Sequence, residues 1–263
     1  VRDPSRMAEV LNRVIEKAFR GSAPAQINVP RDYWTQVIDI ELPPIVRFER
    51  QAGGKEAIEN AAKLLSKAKF PVILSGAGVV LGGAIDECKK LAEKLDAPVC
   101  NGYQHNDSFP GSHPLAVGPL GYNGSKAAME LISKADVVLA LGTRLNPFST
   151  LPGYGIDYWP KKATIIQVDM NPDRIGLTKK VSVGICGDAK QVAQQILDKL
   201  SSDAGNTGRE ERKNLIHKTK SAWLQTLSGL DHEEDDPGTV WNKEARERDK
   251  DRMSPRQAWR AIQ

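Results

Sequence analysis

Apolar residues fall in two rhythms along this chain. One returns every three or four positions, as on one face of a helix. The other is a run of four or five that stops abruptly, as in a buried strand. Ala57, Ile58, Ala61, Leu64, Leu65 and Ala68 follow the first rhythm, and Pro71-Val-Ile-Leu74 the second. Ile85, Cys88, Leu91, Ala92 and Leu95 predict the next helix, and Pro98-Val-Cys100 a short strand. Ser125–Ala135 reads as a helix, Val137–Leu141 and Thr164–Val168 as strands, Val181–Ile185 as a last strand and Asp188–Leu200 as a helix. Strands alternating with helices predict an α/β unit over 55–200: a Rossmann-like parallel sheet with helices on both faces. Two Gly- and Pro-rich loops, 101–124 and 145–160, interrupt it.

The flanks have different patterns. Met7, Val10, Leu11, Val14, Ile15 and Ala18 predict an amphipathic helix, with Asp3 as N-cap and Pro4 in the first turn. Ala25–Val29 alternates as a short strand. One helix and one strand cannot close a core, so residues 1–32 read as the end of another sheet domain. Pro43-Pro44 and Gly53-Gly54 mark a connector over 33–54. After 200 comes a polar linker, then helical spacing over 209–228, an acidic stretch Asp231–Asp236, and Ser254-Pro255 as a capped helix start. The missing initiator Met and the interrupted final helix read as cuts into a longer protein.

Composition narrows the classes. A net charge of +4 with interspersed signs predicts no nucleic-acid partner. No run approaches the roughly 20 apolar residues of a membrane helix, so no membrane partner is expected. The three cysteines, Cys88, Cys100 and Cys186, fit neither a metal spacing nor a disulfide framework. They read as small core residues, suited to a reducing cytoplasm.

Candidate chemistry sits at the strand ends, because ligands of open α/β sheets bind beyond the carboxyl ends of the strands. Gly76 and Gly78 follow the first strand, where glycines let amides approach a phosphate, or make a tight turn. Gly142 and Arg144 follow a later strand; the guanidinium suits a phosphate or carboxylate, or simply a surface. Asp169 could accept from a ribose, or form an Asx-turn with Asn171-Pro172. His105, Asp107 and His113 lack further ligands at metal spacing, so local hydrogen bonds are expected of them and no metal site. No nucleophile–base set appears.

The loop wording is more specific. Gly102-Tyr-Gln-His-Asn-Asp-Ser-Phe-Pro-Gly-Ser-His-Pro-Leu115, Gly118-Pro-Leu-Gly-Tyr-Asn-Gly-Ser125 and Gly142-Thr-Arg-Leu-Asn-Pro-Phe-Ser-Thr-Leu-Pro-Gly-Tyr-Gly-Ile-Asp-Tyr-Trp-Pro160 closely resemble an acetyltransferase branch of the thiamine-diphosphate enzyme family. Acetolactate synthase and pyruvate oxidase belong to that family. The resemblance implies three α/β domains. It assigns 1–32 to the end of a pyrimidine-binding domain, 55–200 to the middle domain and 253–263 to the start of a diphosphate-binding domain, with linkers at 33–54 and 201–252.

It also implies thiamine diphosphate and Mg²⁺ in the whole enzyme. The substrates would be sulfoacetaldehyde and phosphate, the products acetyl phosphate and sulfite, and the assembly a homodimer or homotetramer. The family's essential glutamate and its metal–diphosphate motif have no counterpart here, so no catalytic residue is assigned and the piece alone is expected to be inactive. Nucleotide-binding relatives use the positions of Gly76, Gly78, Gly142, Arg144 and Asp169 for FAD or ADP. Here Leu145-Asn-Pro-Phe148 replaces the acidic run of flavin-binding synthases, which counts against FAD and leaves a pocket that is vestigial or holds ADP. Tyr122 and Asn123 replace a Met-His pair and are expected to face the active-site entrance. An acetolactate synthase or oxo-acid decarboxylase relative, a nucleotide-binding module and an oligomerisation module remain alternative readings.

Overall fold

The computed structural model describes residues 1–21, 23–42, 44 and 49–229. Helix α1 (Met7–Gly21) follows a short 3-10 turn whose N-cap, Asp3, accepts from the Ser5 amide. Residues 25–29 form no strand. Alternation only qualifies a segment for a sheet, and no described strand lies beside this one to complete a ladder. The helix start at Ser254 and the acidic stretch 231–236 lie outside the described residues.

The chain then alternates as expected. Helix α2 (Lys55–Lys67) leads into β1 (Pro71–Ser75), followed by α3 (Ala77–Gly82) and α4 (Ile85–Leu95). Next come β2 (Val99–Asn101), β3 (Ala116–Pro119), α5 (Lys126–Ile132), β4 (Val137–Leu141), β5 (Thr164–Asp169) and β6 (Val183–Cys186). Helices α6 (Ala189–Lys199) and α7 (Arg209–Gly229) finish the described chain. Two elements escape the sequence reading. Strand β3 hides inside the first long loop because Ala-Val-Gly-Pro is short and ends in residues that strands avoid. Helix α3 is a six-residue turn carrying three apolar residues after a glycine.

The six strands are all parallel in the order β3-β2-β1-β4-β5-β6. Every residue of β1 and β4 is buried. That is the continuous apolar run a parallel sheet needs when both faces are covered. One layer holds α2, α3, α4 and α6, packed on one another; α5 and α7 pack together as the second. The chain order reverses between β1 and β4, so a crevice is expected beyond their carboxyl ends.

Two polar clasps fix the flanks to this unit. Asp188 is 1% exposed and caps α6 through the Lys190 and Gln191 amides. It also pairs with Arg50 at 2.9 Å, and Arg50 donates to the Gly82 carbonyl, so the connector is tied to α3 and α6. At the other end, Arg212 of α7 is buried against the turns before β1 and β2. Among the described residues, no helix is long and apolar enough to cross a membrane.

Candidate functional site

At the reversal point the two strand ends close on each other. The Gly76 amide donates to the Leu141 carbonyl at 3.1 Å, and the Gly78 amide to the Gly142 carbonyl at 2.8 Å. A Cβ on Gly76 would lie 2.6 Å from Thr143 Cβ, and one on Gly78 would lie 2.7 Å from Gly142 Cα. Real carbons do not approach so closely. The glycines are therefore required by backbone packing, and these two amides already have carbonyl partners.

The residues after β4 turn sharply. Thr143 Oγ1 accepts from the Leu145 amide at 3.2 Å, and Leu145 adopts a left-handed φ of 53°. The turn drives the Leu145 side chain into the core and leaves Arg144 exposed. Arg144 has no side-chain partner among the described residues, so its guanidinium is available at the rim. Beyond β5, Asp169 Oδ1 accepts from the Asn171 amide, and Asn171 Oδ1 from the Asp173 amide, both at 2.9 Å. These are the Asx-type turns that the Asp-Met-Asn-Pro wording permits.

Gln167, which the sequence reading passed over, joins the two rim loops. It is 1% exposed and donates to the carbonyls of Thr143 and Arg174 while accepting from the Gly176 amide. A lone amide inside Ile-Ile-Gln-Val-Asp is the signal that could have revealed it, since buried polar groups must be partnered.

A third set of loops follows β2 and β3. Ser75 donates to the Ser108 carbonyl, Asn101 to Ser108 Oγ, and Ser108 Oγ to the His105 carbonyl, a buried network that pins loop 102–109. His105 lies 3.9 Å from Asp107 on the surface. His113 is elsewhere: its Nδ1 accepts from the Leu115 amide, which leaves Nε2–H to donate to Glu93. The histidines therefore serve local bonds. Among the described residues, no group of three or more His, Cys, Asp or Glu could hold a metal. Burial pushes the Cys88 thiol up to about 12, partly opposed by the Ser75 hydroxyl, and pushes Cys100 higher still. Neither is a nucleophile at neutral pH.

The loop Gly121–Gly124 stands at this rim. The Gly124 amide closes a turn onto the Gly121 carbonyl at 2.9 Å, with Tyr122 and Asn123 at its centre. Asn123 has φ 53°, which asparagine tolerates better than most residues. Tyr122 is 53% exposed and stacks edge-on against Tyr103. Beneath lies Tyr158, 1% exposed, whose phenol burial holds well above its usual value.

The sequence pattern of the thiamine pyrophosphate enzyme central domain matches residues 58–196. The chain belongs to this family. Over all 263 residues it is 79% identical to a probable sulfoacetaldehyde acetyltransferase of Rhizobium meliloti (strain 1021). It is 76% identical over the same length to the sulfoacetaldehyde acetyltransferase of Roseovarius nubinhibens. In both cases all of this chain is matched to 44% of the relative, so it spans less than half the length of these curated relatives. The benzoylformate decarboxylase of Polynucleobacter necessarius shares the fold, with a TM-score of 0.63 at 20% identity over 79% of this chain and 39% of that one. The central domain of a thiamine pyrophosphate enzyme is thus the setting in which Gly76, Gly78, Gly142, Arg144, Asp169, Tyr122 and Asn123 have to be understood.

Proposed function

We propose that this chain is the central part of a thiamine-diphosphate-dependent acetyltransferase that converts sulfoacetaldehyde and phosphate into acetyl phosphate and sulfite. One observation carries the reading: identity of 76–79% over all 263 residues to relatives of that name. The described residues offer neither a metal set nor a free diphosphate cradle, so they do not fit the cofactor themselves. Thiamine diphosphate and Mg²⁺ would be held by other segments of the whole protein, as would the reacting atoms. This part supplies position and a rim. Assembly as a homodimer or homotetramer and a cytoplasmic setting belong to the same proposal.

The rim is read as two regions. Gly76, Gly78 and Gly142 are occupied in backbone packing, and Asp169 in its own turn, which favours a vestigial nucleotide pocket over a flavin site. Arg144 keeps ADP as the nucleotide to test. Tyr122 and Asn123 would face the active-site entrance. The whole enzyme, given thiamine diphosphate, Mg²⁺, sulfoacetaldehyde and phosphate, is expected to release sulfite and acetyl phosphate in equal amounts. Acetolactate formed from pyruvate, without sulfite release from sulfoacetaldehyde, would overturn the reading. Calorimetry with FAD is expected to show no tight binding.

The entrance assignment is tested by Asn123→Gly. Glycine keeps the left-handed turn while removing the side chain. KM for sulfoacetaldehyde is expected to rise several-fold; unchanged steady-state constants would remove Asn123 from the entrance.

A further inference from the structure

We infer that Tyr154 is a positioning residue that holds the Gly121–Gly124 loop in place, with helix α7 as its backstop. Four observations converge on it. The Tyr154 hydroxyl donates to the Gly124 carbonyl at 3.0 Å, across 30 residues of sequence. The Tyr122 amide on the same loop donates to the Phe148 carbonyl at 2.9 Å, so the loop is tied to the segment after β4 at two points. Tyr154 itself has φ 53°, a conformation disfavoured for a bulky side chain and worth its cost only where the aim of that side chain matters. Behind it, Trp223 of α7 meets its ring edge-on, with centroids 5.5 Å apart.

The topology gives the contact direction. Helix α7 begins below the amino ends of the strands, where Arg212 donates to the Lys69 carbonyl just before β1. It passes α5 and brings Trp223 to Tyr154, beside the loop that follows β3. A helix anchored at the bottom of the sheet therefore steadies a loop at the top. The loop needs such support. Gly121 and Asn123 both have left-handed φ; the Phe148 carbonyl and the Tyr158 phenol hold the Gly121–Tyr122 end, and the Tyr154 hydroxyl holds the Gly124 end. Without Tyr154 the turn can close on itself and keep its Phe148 tether, but its Gly124 end, next to Asn123, is no longer held.

This inference rests on the entrance reading of Tyr122 and Asn123, and the test separates the two. In the whole enzyme, Tyr154→Phe removes one hydroxyl and leaves ring and backbone unchanged. Hydrogen exchange of amides 121–125 is expected to speed up at least about tenfold while amides of β1 and β4 are unchanged, because the lost bond is local. KM for sulfoacetaldehyde is expected to rise about three- to tenfold with kcat within about twofold, since the chemistry is not touched. In a double-mutant cycle with Asn123→Gly, the second substitution is expected to add less than it does alone, because part of the Tyr154 effect passes through Asn123. Trp223→Leu, which removes the backstop but not the hydroxyl, is expected to speed exchange of the same amides less than Tyr154→Phe. Unchanged exchange at 121–125 in Tyr154→Phe would overturn the positioning role, as would effects on KM that multiply in the cycle. Faster exchange with wild-type kinetics in both single variants would instead overturn the entrance reading and leave the positioning role standing.

Discussion

Arg212 shows how much one residue can hold. Its guanidinium has five N–H donors, and all five are used on main-chain carbonyls: Lys69, Leu95, Asp96, Gly205 and Thr207, at 2.6–2.9 Å. Burial lowers its pKa while the nearby Asp96 carboxylate opposes that, and the group stays charged. Nothing in the sequence distinguishes it from the other basic residues, because its partners are carbonyls, which every residue carries. Arg212→Met would strand several buried acceptors and is expected to cost about 3–5 kcal/mol of stability. Arg212→Lys is expected to recover less than half of that loss, since an ammonium is a point charge with three donors and cannot span the fork. Urea unfolding of the chain measures both. A lysine variant as stable as the parent would show that charge, rather than the fork, matters.

At the scale of elements, the glycines divide into those that packing requires and those it does not. The strand-end contact between β1 and β4 depends on Gly78, whose added Cβ would meet Gly142 backbone at 2.7 Å. Backbone cannot step aside as a flexible side chain can. Gly78→Ala is expected to destabilise by roughly 1–3 kcal/mol. Gly54 is the opposite case. It is the N-cap of α2, with φ −79° and ψ 132°, and a Cβ there meets nothing within 4 Å. Gly54→Asp should add the missing side-chain cap and sit favourably at the helix N-terminus, raising stability by a few tenths to about 1 kcal/mol. Thermal unfolding of the two variants should move in opposite directions. A neutral Gly78→Ala would mean that the two strand ends are not in contact, and the rim would then be open to a phosphate.

At the scale of the whole molecule, stability is unevenly spread. The core runs from Ile58 to Ile216. Helix α1 has no buried residue and leaves Leu11, Ile15 and Phe19 on its exposed apolar side. Amide exchange in this 263-residue chain is expected to be fastest in α1 and slowest in β1, β4 and β5, whose amides open only with the entire sheet. Protection of α1 equal to that of β4 would sink this ranking. The same unevenness fits the proposal that residues 1–32 belong with a sheet other than this one.

The sequence by itself determined the alternation of helix and strand over 55–200, and with it a parallel sheet covered on both faces. Periodicity is a local property, and a run such as Val137–Leu141 has few other ways to be buried. The loop wording, carried residue by residue, also pointed to the family before any contact was known. Tertiary structure decided which contacts the strand-end residues make. Gly76 and Gly78 look alike as a phosphate cradle or as a packing contact until Gly142 is placed against them. Asp169 could be a ribose acceptor or a turn residue by sequence, and the fold adds the Asn171 amide on its Oδ1. Tyr154, Gln167 and Arg212 gave no signal, or a faint one, because their partners lie 30, 24 and 143 residues away in the cases that matter most. Their partners are also main-chain groups, which sequence does not mark. Local pattern fixes which segments are apolar; only the folded chain brings a distant carbonyl within reach of a hydroxyl, an amide or a guanidinium.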